Sequence, residues 1–250
     1  VAVLGATRGM GRSVARQLVE RKDTVFILGR ESASNDRSAR DLEIRGGTGS
    51  VGAAECDLLD PATFGPALQA AEQAMGGLDA VVVTAGLFAS QAELEADPAL
   101  AQRVLTANFT NTVLFCEEAR KRLLARGGGI LAVWSSVAGE RGRKPVGLYG
   151  ASKAGLTRYL EALDHKYRAD GLRTITVKPG FVKTDMTRGL RPPPFAGDAD
   201  GVARRAIKAM DRGKPVVYAP GMWALVMFVL RLLPRFVMRK IGFSPIDILW

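Results

Sequence analysis

The stretch VAVLGATRGMGRSVARQL, Val1 to Leu18, decides the fold of this chain. Its first four residues are apolar and typical of a buried strand, and the residues from Arg12 onward have the character of a helix. Between them, glycines at positions 5, 9 and 11 allow a tight turn and let backbone N–H groups at the helix start approach a phosphate. A strand, a glycine turn and a helix in this order predict a dinucleotide-binding unit.

Six further strand-like segments follow, separated by segments long enough for helices. They cover residues 24–28, 51–56, 80–84, 129–135, 173–178 and 215–220. Short apolar strands that alternate with helices are typical of a parallel sheet covered on both faces. The sequence therefore predicts a single α/β domain with a Rossmann-type, doubly wound, parallel seven-stranded sheet. Residues 1–220 would form this domain, and residues 221–250 an apolar and basic extension packed on it.

Composition limits the partners of the chain. Its 250 residues carry a net charge of +10, and between Gly201 and Lys240 nine lysines and arginines accompany one acid. Without interleaved aromatics or a recognisable reading module, we expect no nucleic-acid partner. Cys56 and Cys116 are too few for a disulfide framework, which predicts a cytoplasmic protein, and the single His165 argues against a metal site. Because the sequence begins within a strand pattern, we expect it to start inside a longer chain.

The end of the second strand bears on the choice of dinucleotide. In such sheets an acid at this point binds the adenosine 2′-hydroxyl, whereas an arginine accepts a 2′-phosphate. Here Gly29 stands in the acid's place, Arg30 follows it, and Arg8 in the glycine turn can reach the same phosphate. Two guanidinium groups without a carboxylate predict a preference for NADP(H) over NAD(H).

The stretch WSSVAGERGRKPVGLYGASKAGL, Trp134 to Leu156, predicts the reactive groups. Tyr149 and Lys153 lie four residues apart in a helix-like segment, so both project from one face. A tyrosine has an ordinary pKa of about 10, which a neighbouring ammonium would lower towards the working range of a general acid or base. Ser136, just past a strand end, can hold a substrate carbonyl for proton transfer.

This ordered set of motifs resembles the short-chain dehydrogenase/reductase family. The motifs are Gly5–Gly11, Asp57, Thr84–Gly86, Asn108, Ser136, Tyr149, Lys153 and Pro179–Thr184. The resemblance implies that Tyr149 is the catalytic acid/base, that Ser136 orients the carbonyl, that Lys153 binds the nicotinamide ribose, and that Asn108 anchors a proton-relay water. Hydride transfer between a ketone and a secondary alcohol is the implied reaction.

The same resemblance implies a set of cofactor-binding residues along most of the chain. They are Gly5, Thr7, Arg8, Gly9, Met10, Gly11, Arg30, Asp57, Leu58, Ala85, Gly86, Tyr149, Lys153, Pro179, Gly180, Val182 and Thr184. Two departures concern bracing of the strand ends: Leu4 replaces the family's threonine, and Val83 and Thr84 replace its paired asparagines. We expect altered bracing with the chemistry retained.

A narrower resemblance, to decaprenylphosphoryl-2-keto-ribose reductase subunits, is carried by SSVAGERGRK, LYGASKAGL, KPGFVKTDMT and the C-terminal segment. It implies an amphiphilic or lipid-linked carbonyl substrate, and a keto sugar, a steroid and an acyl chain all remain open. Arg141, Arg188 and Arg191 are candidates to bind a phosphate on it, with Arg143 and Lys144 nearby. A non-catalytic sensor or interaction protein of the same fold is the alternative, which the four catalytic residues disfavour.

The segment GMWALVMFVLRLLPRFVMRKIGF, Gly221 to Phe243, is apolar and basic. Its uninterrupted apolar part has nine residues, too few for the roughly 20 that span a bilayer. Pro234 would separate two helices, and arginines at every fourth position beside aromatics are typical of an element in a membrane interface. An oligomer contact and plain core cover are the other interpretations. Family resemblance implies a homodimer or homotetramer through the helices that carry Asn108 and Tyr149.

Overall fold

The computed structural model describes residues 1–46, 51–189, 192–193 and 195–240. Its strands are β1 (Ala2–Leu4), β2 (Phe26–Gly29), β3 (Gly52–Glu55), β4 (Ala80–Val83), β5 (Gly129–Trp134), β6 (Leu172–Pro179), β7 (Val182–Lys183), β8 (Gly197–Asp198) and β9 (Val216–Ala219). Its helices are α1 (Gly9–Glu20), α2 (Ser32–Gly46), α3 (Phe64–Met75), α4 (Gln91–Ala96), α5 (Pro98–Leu105), α6 (Asn111–Ala125), α7 (Gly147–Tyr167), α8 (Ala199–Asp211), α9 (Trp223–Leu232) and α10 (Arg235–Lys240).

The main sheet has seven parallel strands in the order β3-β2-β1-β4-β5-β6-β9, which confirms the predicted fold class. The strand β1 pairs on one side with β2 and on the other with β4, so that Val3 lies between Ile27 and Val82. The chain order reverses at this point. Ligands of open parallel sheets bind at such a switch point, beyond the carboxyl ends of the strands.

Alternate residues of β1 enter two separate cores, because successive strand residues point to opposite faces. Val3 packs with residues of α1, α2 and α8, including Leu18 and Leu42. Leu4 packs with residues of α3, α6 and α7, including Phe115 and Leu156. Burying each of these large side chains contributes about 1.5–3 kcal/mol. The helices that cover both faces thereby hold the strand ends, and the residues after them, in fixed positions.

The helix α9 is packed onto the domain by one face only. Trp223 and Met227 are fully buried against Val137 and Phe181. Residues of the opposite face, such as Phe228, are exposed. The two helices α9 and α10 are separated at Pro234, as the sequence predicts. Among the described residues, the structure has no helix with the length and apolarity needed to cross a membrane.

Candidate active site

The glycine turn after β1 has the close packing that a dinucleotide site requires. Gly5 and Gly9 adopt positive φ angles of +93° and +53°, which favour glycine. A Cβ on Gly11 would lie 2.2 Å from the carbonyl oxygen of Gly5 and 2.3 Å from Oγ1 of Thr84. The extended Arg8 precedes α1 and makes no side-chain cap, so the N–H groups of the first helical turn are left to a ligand.

Thr84 braces the two strand ends at the switch point. Its hydroxyl donates to the carbonyl oxygen of Leu4 at 2.9 Å and lies 3.2 Å from that of Gly5. This is the altered bracing expected where the family has asparagine. The Thr84 hydroxyl thereby holds the glycine turn close to Ala85 and Gly86, which follow β4.

A cleft of about 230 Å³ extends from the glycine turn across the ends of β2 and β3. Predicted cofactor residues that line it are Gly5, Thr7, Arg30, Asp57, Leu58, Ala85 and Gly86. Asn111 donates to the Leu58 carbonyl at 2.7 Å and holds this wall from α6. The size and place of the cleft fit the adenosine half of a dinucleotide.

Gly29, the last residue of β2, is closely packed against α2. A Cβ on Gly29 would lie 2.4 Å from Oδ1 of Asn35, whose amide nitrogen donates to the Gly29 carbonyl at 2.8 Å. Any side chain at this position would therefore require Asn35 to shift.

Arg8, Arg30 and Ser34 line a small pocket where a 2′-phosphate would lie, but Glu31 lines it as well. Its carboxylate is 3.5 Å from Nε of Arg30. The Ser34 hydroxyl, followed by Arg30, lowers the pKa of Glu31. The absence of a carboxylate expected from the sequence is therefore wrong, because Glu31, directly before α2, turns back to Arg30.

A second cavity, of about 140 Å³, lies on the other side of Gly86, and we call it the catalytic cavity because the predicted catalytic residues line it. Ser136, Tyr149 and Lys153 line it together, as the sequence predicts. Predicted cofactor residues that also line it are Met10, Gly86, Pro179, Gly180, Val182 and Thr184. Gly9 faces Thr184, since its Cβ would be 3.7 Å from the threonine methyl group. The cavity therefore joins the ends of β1, β4, β5 and β6.

Burial shifts the pKa values of Tyr149 and Lys153 in opposite directions. It raises the pKa of Tyr149 to about 12, partly offset by a hydrogen bond with Ser136, and lowers the pKa of Lys153 to about 8. Nζ of Lys153 donates to the Trp134 carbonyl at 2.9 Å and lies 5.9 Å from the centre of the Tyr149 ring. The expected lowering of the tyrosine pKa is therefore wrong for this geometry, because desolvation of the phenolate dominates.

Asn108 lies in one turn of π-helix, Thr106–Thr110, between α5 and α6. Its side chain is fully buried and pairs both ways with Leu87, accepting from the backbone N–H and donating to the carbonyl, each at 2.7 Å. The hydroxyl of Thr112, in the first turn of α6, donates to the Ala107 carbonyl of this irregular turn at 2.7 Å. Asn108 thereby fixes the segment after Gly86, and its place in a relay stays a prediction.

The predicted substrate arginines lie in different places. Arg141 donates to the carbonyl oxygen of Leu233 at 2.6 Å, at the end of α9. Arg188 is exposed and forms an ion pair with Asp185. Arg191 lies outside the described residues. Among the described arginines, Arg143 is the one that lines the catalytic cavity.

The loop after Ser136 is fixed by a buried carboxylate that the sequence did not single out. Glu140 accepts from Nζ of Lys178 and from the hydroxyl of Tyr218, both at 2.6 Å. Arg231 of α9 lies 3.7 Å from the other carboxylate oxygen. Burial and this hydrogen bond raise the pKa of Tyr218. Apolar residues missed by the sequence argument, Leu87, Phe88, Val146, Phe181 and Met186, complete the cavity wall.

These features together define a nicotinamide-dependent oxidoreductase of the Rossmann type. Residues 1–194 match the family model described as short chain dehydrogenase. The chain belongs to the short-chain dehydrogenase/reductase family, whose fold binds NAD(H) or NADP(H), and it is an enzyme of that family.

Two relatives and one solved structure show how similar the chain is to known proteins. An uncharacterized oxidoreductase of Mycobacterium tuberculosis is 33% identical over 242 residues, 96% of each chain. The cis-4-hydroxycyclohexanecarboxylate dehydrogenase of Sinomonas cyclohexanicum is 30% identical and covers 87% of this chain and 85% of its own. A short-chain type dehydrogenase/reductase from Mycobacterium ulcerans superposes with a TM-score of 0.80 over 97% of both chains at 21% identity, which shows the shared fold.

Proposed function

We propose that this enzyme interconverts a ketone and a secondary alcohol with NADP(H), using Tyr149 as the general acid/base. The observation that carries the proposal is the shared cavity: Ser136, Tyr149 and Lys153 line one space at the ends of the central strands. The close-packed glycines of the turn after β1 and the uncapped N-terminus of α1 fit a dinucleotide.

The bound nicotinamide supplies or accepts the hydride. In the reductive direction the Tyr149 hydroxyl gives its proton to the carbonyl oxygen, while the Ser136 hydroxyl donates a hydrogen bond to that oxygen and orients it. Lys153 donates to the Trp134 carbonyl and lies next to Gly86, and we assign it the binding of the nicotinamide ribose. Asn108 keeps the segment at Leu87 in position, and we assign it the anchoring of a relay water. In the oxidative direction the phenolate takes the proton back.

Preference for NADP(H) is supported by Arg8 and Arg30, whose side chains share one small pocket. A phosphate dianion pairs more strongly with guanidinium than a hydroxyl does. Glu31 opposes this preference, so a 2′-phosphate has to displace its carboxylate from Arg30.

The substrate we propose is amphiphilic. The cavity walls are largely apolar, with Phe88, Phe181 and Met186 among them. The dehydrogenase from Sinomonas cyclohexanicum acts, by its name, on an alcohol with a carboxylate at the other end. A keto sugar on a lipid phosphate, as the narrower family resemblance implies, a steroid and an acyl ketone all combine a polar and an apolar part.

The exposed face of α9 and α10 supports contact with a membrane surface. It carries Leu225, Phe228, Leu232 and Phe236, each more than half exposed. The same two helices carry Arg231, Arg235 and Arg239, and a basic helix with exposed apolar residues is typical of an element lying in an anionic interface. We place the enzyme in the cytoplasm at such a surface.

Assembly into a homodimer or homotetramer is a further part of the proposal. Phe109 and Leu114, beside Asn108 on the proposed contact helices, are exposed large apolar residues. Phe109 also packs against Gly155 of α7. A second copy that covers these residues would bury them.

The decisive experiment follows NADPH oxidation with three ketone classes: a lipid-linked keto sugar, steroid ketones and long-chain acyl ketones. We expect at least one class to be reduced by the native enzyme and none by Tyr149→Phe. Equal activity of the two proteins would show that Tyr149 is not the acid, and binding of NADPH without reduction of any ketone would contradict the proposed reaction.

A further inference from the structure

Arg143 occupies the wall between two cavities. It lines the catalytic cavity together with Ser136 and Tyr149. It also lines a second cleft of about 460 Å³, formed between the loop 141–144 and α10. An elongated molecule with its carbonyl group at Tyr149 could extend past Arg143 into this cleft.

The second cleft is strongly basic. In the described part of the chain, the charged side chains that line it are all cations: Arg141, Arg143, Lys144, Arg235 and Arg239. Arg141 donates to Leu233 and Lys144 to the carbonyl oxygen of Arg239 at 2.8 Å. These two contacts build the cleft by tying the loop to the ends of α9 and α10. The resulting field favours an anion over a neutral or cationic group.

Arg143 differs from the other four cations because it also lines the catalytic cavity, and its guanidinium is buried there. Burial lowers its pKa to about 9. The low dielectric around a buried guanidinium strengthens its attraction to an anion. Carboxylates and phosphates are the anions whose geometry matches the guanidinium fork.

We infer that Arg143 recognises an anionic group, a carboxylate or a phosphate, covalently attached to the carbonyl substrate. This inference rests on the proposed ketone reduction. It adds a selectivity residue that the catalytic motif does not contain, and it places the anionic end of the substrate on the side of the cavity that faces α10. Arg235 and Arg239 add to the field from that helix.

The test compares three methyl ketones of similar length: 7-oxooctanoate, 6-oxoheptyl phosphate and neutral 2-octanone. The proteins are the native enzyme, Arg143→Met, Arg143→Lys and the control Arg158→Met, whose arginine is exposed on α7. We expect Arg143→Met to lower kcat/KM for the anionic ketones about 10- to 100-fold, mainly through KM, with little effect on 2-octanone. Arg143→Lys should restore part of the loss, and Arg158→Met should behave as native.

Calorimetric titration of the same three ketones measures binding without turnover, so it tests the role of Arg143 independently of the proposed reaction. Binding of the anionic ketones that is lost in Arg143→Met supports the inference even if no ketone is reduced, and in that case the proposed reaction alone fails. Equal binding and turnover of charged and neutral ketones by the native enzyme would overturn it. The inference would also be overturned if Arg143→Met and Arg143→Lys lowered kcat/KM equally for all three ketones at unchanged melting temperature. That result would indicate a structural role for Arg143. The class of anion is identified by comparing the affinities for the two anionic ketones: tighter binding of 6-oxoheptyl phosphate indicates a phosphate, and tighter binding of 7-oxooctanoate a carboxylate.

Discussion

Nζ of Lys153 donates its hydrogen bond to the carbonyl oxygen of Trp134, at 2.9 Å, across the end of β5. The ammonium is therefore anchored to the sheet and lies over the Tyr149 ring, 5.9 Å from its centre. Lys153 can position a ribose from there without holding the tyrosine as a phenolate. The protonated tyrosine is the form that serves as a proton donor.

The pH dependence of the two directions should differ. With burial raising the pKa of Tyr149 to about 12, the phenol stays protonated through the neutral range. Ketone reduction should be nearly independent of pH between about 6 and 7.5, where Tyr149 and Lys153 both stay protonated. In contrast, kcat/KM for alcohol oxidation should rise up to about tenfold per pH unit as far as about pH 8, because the phenolate fraction does. Above that pH the rise should be less steep, because Lys153, with its pKa lowered to about 8, loses its charge. Initial rates in both directions measure this. An oxidation rate that levels off below pH 8 would mean that Lys153 lowers the tyrosine pKa after all.

Replacing Tyr149 by phenylalanine should lower kcat by about 100- to 10,000-fold, the usual contribution of a general acid. The ring contact with Phe88, at 5.1 Å between centroids, needs no hydroxyl, so folding should be retained. Tyr167→Phe, at the far end of α7, is the matched control. NADPH titration should give similar affinities for all three proteins, and a large loss of affinity in Tyr149→Phe would point to a binding defect.

Arg30→Ala should weaken NADPH binding about 10- to 100-fold and leave NADH nearly unchanged, because one charge-assisted contact with the 2′-phosphate is lost. Arg40→Ala, exposed on α2, is the control. Glu31→Gln should strengthen NADPH binding, since it frees Arg30 from the carboxylate 3.5 Å away. Fluorescence titration measures all four proteins. Equal native affinities for NADPH and NADH would refute the preference.

Gly11→Ala should destabilise the protein by about 1–3 kcal/mol and weaken dinucleotide binding, because its Cβ would overlap the Gly5 carbonyl oxygen. Gly65→Ala provides the contrast. A Cβ there meets no atom within 4 Å, and alanine favours the helix α3, so stability should hold or increase slightly. Chemical denaturation and NADPH titration of both variants test the difference, and equal stabilities would contradict the packing argument.

Phe228→Asp should reduce sedimentation with vesicles of phosphatidylcholine and phosphatidylglycerol several-fold, because it places a charge on the exposed apolar face of α9. Ile44→Asp removes a residue of α2 that is even more exposed, at 84%, and should have no such effect. If both variants bind vesicles as the native protein does, the face of α9 has another use.

Much of the fold could be predicted from sequence because its signals are local. The seven strands, the glycine turn and the Tyr149–Lys153 spacing each depend on a few neighbouring residues. The crossover rules of parallel sheets then bring the strand ends together. The helix spacing, the strand end before Ser136 and the family resemblance predicted Ser136, Tyr149 and Lys153 as one group, and the structure brings them to one cavity.

The remaining features depend on contacts between distant segments. Glu140 stands among arginines and a lysine and looks like a solvated residue, yet Lys178 and Tyr218 bury it. Arg143 could not be predicted either, because the sequence does not distinguish it from Arg141. Only Arg143 of the two lines the catalytic cavity, because the loop is held against the C-terminal helices. The direction of the Tyr149 pKa shift could not be predicted from sequence either. It depends on whether burial of the phenol outweighs the charge of the neighbouring Lys153, and the sequence does not give the degree of burial.

The indole of Trp223 lies so close to Gly180 that a Cβ there would meet its nitrogen at 2.0 Å. The helix α9 is thus built into the wall of the catalytic cavity, which Gly180 and Phe181 line. A truncation at Pro220 would remove this support, so we expect it to damage turnover as well. A substitution that shifts α9 would likewise change the shape of the cavity from a helix that lies outside the family motifs.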